Sequence, residues 1–251
     1  MVTNNSKLCA QLESALGLSS SPVAVRFQTE APKTPLSSNT PVAAGCKFWE
    51  IGTTQHVTTT ASDHRHCSIG IHTLNLQDAP ASQGMELANT LAAMQGLDYV
   101  RPEEVANLPV MKTGNRGVVY APLKDIEDAP DVVLIFANAA QGLILSEAVS
   151  RVDGAVPAAM GRPACALIPQ IVNSSRSTSS LGCCGARAYL DVFSDDISIW
   201  GLLGSKLDAY VAEIETLAKA NSVLRQFHEM RGADILSGGE PTVQQSLERL
   251  A

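Results

Sequence analysis

Apolar positions near the start of the chain fall on one helical stripe. Leu8, Leu12, Ala15 and Leu16 predict an amphipathic helix. Pro22 to Phe27 (PVAVRF) reads as a short strand bounded by Ser and Pro. Residues 29–42 are rich in Thr, Pro, Ser and Asn and read as a loop. A helix is expected to open at Gly45-Cys46-Lys47-Phe48-Trp49. His56 to Ala61 (HVTTTA) reads as a β-branched strand running into a polar turn, Ser62 to Cys67. Met85, Leu87, Ala88, Leu91 and Met94 are spaced for a helix that Gly96 stops. Val118 to Ala121 and Asp131 to Phe136 are apolar runs flanked by Gly or Pro, the mark of buried strands. The second leads through Asn138-Ala-Ala-Gln-Gly142 into a helical stretch, Leu143 to Val152. Pro163 to Val172 predicts a helix in spite of Pro169, Asn173 to Ser180 a polar loop, and Ile197 to Leu202 another strand. From Ser205 a long amphipathic helix is expected, with Ser205 and Asp208 as a capping pair and Leu207, Val211, Ile214 and Leu217 as its apolar face.

Helices and strands interleave throughout, so the class is α/β: mixed sheets with flanking helices and a long C-terminal amphipathic helix. One unit over 1–251 is the simplest organisation. A subdivision into 1–115 and 116–251 would leave Cys46 and Cys67 on one side and Cys165 and Cys183 on the other, with any metal joining them at the junction. The last helix serves equally to pack on its own domain or to bury against a second subunit in a homodimer.

Composition narrows the function classes. In 251 residues, hydrophobic side chains make up 45% and charged ones 17%, enough apolar matter for a sizeable core. The formal charge of −7 and the lack of a basic run argue against a nucleic-acid surface and against an anionic-membrane anchor. The longest apolar run, Val132 to Ala137, falls far short of the ~20 residues of a membrane span. The opening MVTNNSKL lacks the basic and apolar regions of a secretory signal. A cytoplasmic protein is expected, where six cysteines serve as core thiols, metal ligands or redox groups rather than structural disulfides.

The contexts of those cysteines differ. No CxxC and no close Cys/His quartet is present, which removes zinc ribbons, ferredoxin-type runs and thioredoxin-like motifs. Cys9 shares a helical face with Leu12 and Leu16 and reads as a buried thiol. Cys46 follows Gly45 at a helix start, where free N–H groups stabilise a thiolate, or packs beside Phe48 and Trp49. Cys67 ends the turn Asp63-His64-Arg65-His66, which packing explains poorly. His64 and His66 are each a ligand, an acid/base group or a solvated loop residue. Cys165, in Pro163-Ala-Cys-Ala-Leu-Ile168, reads by composition as a core thiol. Cys183 and Cys184 sit in Gly182-Cys-Cys-Gly185, whose glycines let the backbone approach a bulky group and whose N–H groups can face sulfur. Cys184 is a further ligand or a redox partner, since a vicinal disulfide is the alternative chemistry. Asn173 and the Ser-rich loop add donors, and Arg187 adds a fixed charge able to hold a substrate carboxylate.

Several of these segments together resemble a known family. They are Ser21 to Phe27, Gly45-Cys46, His66 to Gly70, Val118 to Leu123, Ala129 to Gly142, Pro163 to Cys165 and Leu181 to Arg187. The chain from about Leu8 to about Leu217 resembles the prokaryotic conserved family named domain of unknown function 169. The resemblance implies that Cys46, Cys67, Cys165 and Cys183 act together, which raises Cys165 from core thiol to ligand. Cys184 falls at a variable position and Cys9 matches nothing. The family has no assigned reaction.

The leading expectation is a [4Fe–4S] cluster on these four cysteines, since thiolates hold cluster irons and need not be adjacent in sequence. It would serve electron transfer or, with one iron open, Lewis-acid chemistry on a small anionic substrate. The partner is then a small molecule or a redox protein. Zinc or no metal are the alternatives. A metal-free thiol/disulfide enzyme or sensor on Cys183 and Cys184 is the second reading. The third is a binding module in which Asn138 to Gly142 and the 174–180 loop hold an anion.

Overall fold

The computed structural model describes residues 4–33, 41–155, 157–161 and 163–250. Part of the 29–42 segment lies outside the described residues. The chain runs α1 (Asn4–Leu16), β1 (Val23–Gln28), α2 (Lys47–Ile51), β2 (Val57–Thr59), α3 (Ser68–Thr73), α4 (Gln83–Gly96) and α5 (Pro102–Ala106). It continues through β3 (Gly117–Pro122), β4 (Val132–Asn138), α6 (Ala139–Asp153), β5 (Ala159–Met160), α7 (Leu167–Ser174) and β6 (Thr178–Ser180). It ends with α8 (Cys184–Tyr189), β7 (Ile197–Leu203), α9 (Leu207–Leu236) and α10 (Val243–Glu248).

The seven strands form one mixed sheet in the order β2-β3-β1-β4-β7-β6-β5, parallel only between β5 and β6. Strands from both sides of residue 115 interleave, because β1 lies between β3 and β4. The period-2 alternation of strands sorts their side chains into two cores. Val23, Val25, Val132, Leu134 and Phe136 face one way, under α2, α3, α7 and α8 with Phe48, Trp49, Leu167 and Ile171. Ala24, Val133, Ile135 and Ala137 face the other way, under α1, α6 and α9 with Leu12, Leu145, Val211 and Ile214. β4 is apolar along its length because helices cover both faces, although its own pairings are antiparallel. Cys9 is buried on α1, as its helical position predicts.

Several elements differ from the sequence expectation. Thr178–Ser180 is a buried strand rather than a loop, and Asn173 closes α7. Polar strands hide from a hydrophobic pattern when backbone groups satisfy their side chains: the Thr178 hydroxyl donates to the Ala158 carbonyl, and Ser180 Oγ accepts from Gly182 N at 3.0 Å. Asn138 to Gly142 forms the cap and first turn of α6 rather than a separate turn before it. Asn138 Oδ1 accepts from Gln141 N at 3.0 Å and Gln141 Oε1 accepts from Asn138 N at 2.9 Å, so the helix's own cap uses the amides of these two residues. Ser205 does not cap α9; it lies in a 3-10 turn, Gly204–Lys206, that feeds the helix, and Asp208 instead accepts from Asn4 Nδ2 at 3.4 Å. Gly204 is required there, because a Cβ would overlap the Pro130 carbonyl at the entrance to β4. Leu207, Val211 and Ile214 of α9 are buried within this chain. Among the described residues no helix is long and apolar enough to cross a membrane.

Candidate cysteine-lined site

Four short segments on the α2/α3/α7/α8 face each deliver one cysteine to the same place. Cys46 precedes α2, Cys67 precedes α3, Cys165 sits in the 3-10 turn Ala164–Ala166 before α7, and Cys183 precedes α8. All four line one cavity of about 410 Å³, together with Cys184, His66 and Gly185. All six cysteines of the chain are free.

Local chemistry fixes each approach. Buried Phe48 and Trp49 anchor α2 in the core, which sets Cys46 at its start. Lys47 Nζ bonds Glu50 at 2.6 Å and Asp191 at 3.0 Å, and Glu50 accepts from Asp191 N at 2.8 Å. These bonds tie the Cys46 helix to the segment after α8. The polar turn before Cys67 is held by Asp63, which accepts from Thr60 N at 2.8 Å and from Thr60 Oγ1 at 2.9 Å. Gln83 Nε2 donates to Arg65 O at 2.8 Å and ties α4 to that turn. Gly182 has φ +82°, a region that favours glycine, and a Cβ there would overlap the Phe193 ring. Cys183 Sγ accepts from Ala186 N at 3.5 Å.

Arg187 does not enter the cavity. Its guanidinium donates to Leu181 O at 2.6 Å and to Ser194 O at 3.0 Å, and lies over the Phe193 ring at 4.8 Å. It braces the Cys183 turn rather than facing a ligand. Asn173 is likewise engaged elsewhere, donating to Val110 O at 2.7 Å.

Two glycines make room beside Cys67. A Cβ on Gly45 would stand 2.5 Å from His64 Nδ1 and 3.7 Å from Cys67 Sγ; one on Gly70 would stand 2.9 Å from the same sulfur. His64 is fully buried behind this cradle. Its Nε2 lies 3.1 Å from Thr59 Oγ1, and that hydroxyl donates to Val118 O at 3.2 Å. The single hydroxyl proton is thereby used, so Nε2 carries the imidazole proton and Nδ1 is a bare acceptor. Nδ1 has no partner among the described residues. Tyr120 OH, beside Trp49, is also buried without an acceptor among the described residues, and the thiols of Cys46, Cys165 and Cys67 are its titratable neighbours. Buried groups of this kind are rare in native structures and call for a partner.

The electrostatics point the same way. Burial, and then neighbouring Cys67 and Cys183, push the Cys46 thiol up to about 12. Burial and then Cys67 push Cys165 well above the ordinary range, against the opposing effect of the Thr73 hydroxyl. Both thiols stay protonated at neutral pH, and only a cationic centre would reverse that. Burial lowers His64 from 6.5 to about 3. A depressed histidine contributes stability above its unfolded value and loses it as pH falls from about 6.5 towards 3. Metal-free protein should therefore lose about 2 kcal/mol more between pH 7 and pH 5 than the His64→Gln variant, read by urea unfolding at both values. Equal losses in the two proteins would show that His64 is not buried and neutral.

Tyr99 and the half-buried Leu91, Met94, Val100, Val105 and Leu108 also line the cavity. Hydrophobic periodicity marks Leu91 and Met94 as the inner face of a helix, but nothing in the sequence says that this face meets a cavity. Met85 of the same series is 69% exposed. Among the described residues no three His, Cys, Asp or Glu side chains are grouped so as to hold a metal ion by themselves.

No curated protein and no solved structure matches the chain. The family model described as uncharacterised ArCR, domain of unknown function 169, matches residues 11–212, a span that includes the four cysteines and every strand of the sheet. The chain therefore belongs to the uncharacterised ArCR family, domain of unknown function 169.

Proposed function

We propose that Cys46, Cys67, Cys165 and Cys183 hold a [4Fe–4S] cluster in a cytoplasmic protein, and that the cluster exchanges electrons with a small molecule in the adjoining cavity. The observation that carries this reading is the arrival of four cysteines from four separate segments on one cavity wall. The residues fit such a group in three further respects. Gly45 and Gly70 keep space open beside Cys67 Sγ. Tyr120 OH is a buried donor without an acceptor, suited to thiolate or sulfide sulfur. Cys46 and Cys165 are thiols that only a cationic centre would ionise.

Zinc, the alternative ion, would draw all four thiolates onto one centre, whereas a cluster places each thiolate on a different iron. When bound, the cluster supplies one-electron chemistry. Four protein ligands leave no iron open, which favours electron exchange over Lewis-acid catalysis. Among this chain's own groups, Arg187 braces the Cys183 turn and Tyr120 offers a proton to sulfur. His64 stays neutral and offers a lone pair behind Cys67.

One observation favours a second reading. Cys184 is exposed beside Cys183, which suits a metal-free dithiol couple. Anaerobic reconstitution with iron and sulfide separates the two. The expected product absorbs broadly near ~400 nm and holds about four iron and four sulfide per chain. A colourless product whose thiol titre falls by two on mild oxidation would replace the cluster with the Cys183/Cys184 couple.

A further inference from the structure

The outer wall of the cysteine cavity is built from an apolar surface that packs against neither core. Leu91 and Met94 of α4, Tyr99 and Val100 of the following turn, and Val105 and Leu108 at α5 all face the cavity. None of the six belongs to either core cluster or packs against one. Gln83, at its first turn, is the one buried residue of α4, so the helix is not held by a core of its own. A half-buried apolar face over a void of about 410 Å³ forfeits dispersion contacts and leaves apolar surface wet unless something fills the space.

The chemistry of the lining selects the occupant. Among the described lining residues there is no Lys or Arg. Arg187, the nearby cation, is spent on Leu181 O, Ser194 O and the Phe193 ring. The one lining carboxylate, Glu104, accepts from Arg101 N at 2.8 Å across the start of α5. The imidazole of His66 is the one nitrogen base among the described lining residues, so an anion entering this space would exchange its hydration for at most one such partner, which is costly. A neutral molecule would lose only weakly held water and gain aliphatic and aromatic contacts. Pockets of this size and apolar character hold small organic ligands.

We propose that the compartment between the cysteine wall and the α4–α5 face binds a neutral, predominantly apolar small molecule. As the site of a redox substrate it rests on the cluster reading above; as a binding site it stands without it.

The test uses a matched pair of probes, 2-naphthol and 2-naphthoate, which share a ring system and differ in charge at neutral pH. Each is titrated by calorimetry into reconstituted protein and into metal-free protein. The expected result is binding of 2-naphthol at least about tenfold tighter than 2-naphthoate. Filling the space by Leu91→Trp, and independently by Val105→Trp from the other helix, should weaken 2-naphthol binding by at least about tenfold. Thermal unfolding should stay close to the parent, because these side chains are outside both cores. Naphthoate binding as tightly as naphthol, or naphthol binding unchanged in a folded Trp variant, would overturn the proposal. Binding by protein that takes up no iron would sustain this ligand site while removing the cluster. Iron uptake without naphthol binding would do the reverse.

Discussion

Protein carrying Cys183→Ser is expected to lose most of its iron, sulfide and absorption near ~400 nm after anaerobic reconstitution, while Cys9→Ser keeps all three. The two cysteines differ in place rather than in chemistry. Cys183 faces the cavity shared with Cys46, Cys67 and Cys165. Cys9 lies on the opposite side of the sheet, buried on the inner face of α1 beside Glu13 and Ser21. A hydroxyl in place of the Cys183 thiol can still accept from Ala186 N, so the start of α8 is retained while the soft ligand is lost. The measurement is iron and sulfide per chain in the two variants, with circular dichroism as the control for folding. Full iron content in Cys183→Ser would remove this residue from the ligand set.

Asp153→Ala should destabilise the protein by about 2–4 kcal/mol, although it lies away from the cysteines. Asp153 ends α6, and its side chain is 2% exposed. Its Oδ1 accepts from Lys206 Nζ at 2.7 Å and from Tyr210 OH at 2.8 Å, and its Oδ2 accepts from Ser177 N at 2.8 Å. One carboxylate thus joins α6, the approach to β6, the turn before α9 and α9 itself. Alanine would strand the buried Tyr210 hydroxyl and the Ser177 amide together. Lys206 is partly exposed and can turn to water, which keeps the loss below that of a fully buried ion pair. Tyr210→Phe removes a single bond and should cost about 1 kcal/mol. Equilibrium unfolding in urea reads both, and the melting temperature of Asp153→Ala should fall by roughly 5–15 °C. A change under about 0.5 kcal/mol would mean that water replaces the carboxylate.

The elements that were legible in the sequence are those whose local pattern and tertiary role agree. β3 and β4 are apolar because both faces are covered, and α1 and α9 carry stripes because each has one core face. The elements that were missed are polar. β6 satisfies Thr178 through the Ala158 carbonyl and Ser180 through Gly182 N, so no hydrophobic period announces it. The start of α6 carries a reciprocal Asn138–Gln141 cap, so a segment that reads as a turn after a strand is already the first turn of a helix. Arg187 illustrates the same limit. Its position next to the Gly-Cys-Cys-Gly turn is sequence information, but its direction was set by the Leu181 and Ser194 carbonyls and by Phe193.

By itself the sequence determined the α/β class and the burial of Cys9, and through resemblance it raised the expectation that four cysteines act together. These follow from short-range quantities: residue periodicity, turn chemistry and composition within a few positions. Only the tertiary structure decided that the four cysteines share a wall, that His64 and Tyr120 stand behind it without partners, and that α4 and α5 close the space with an apolar face. Those relations depend on how segments more than a hundred residues apart cross one sheet. In this chain the order β2-β3-β1-β4-β7-β6-β5, rather than any local pattern, brings residues 46, 67, 165 and 183 together.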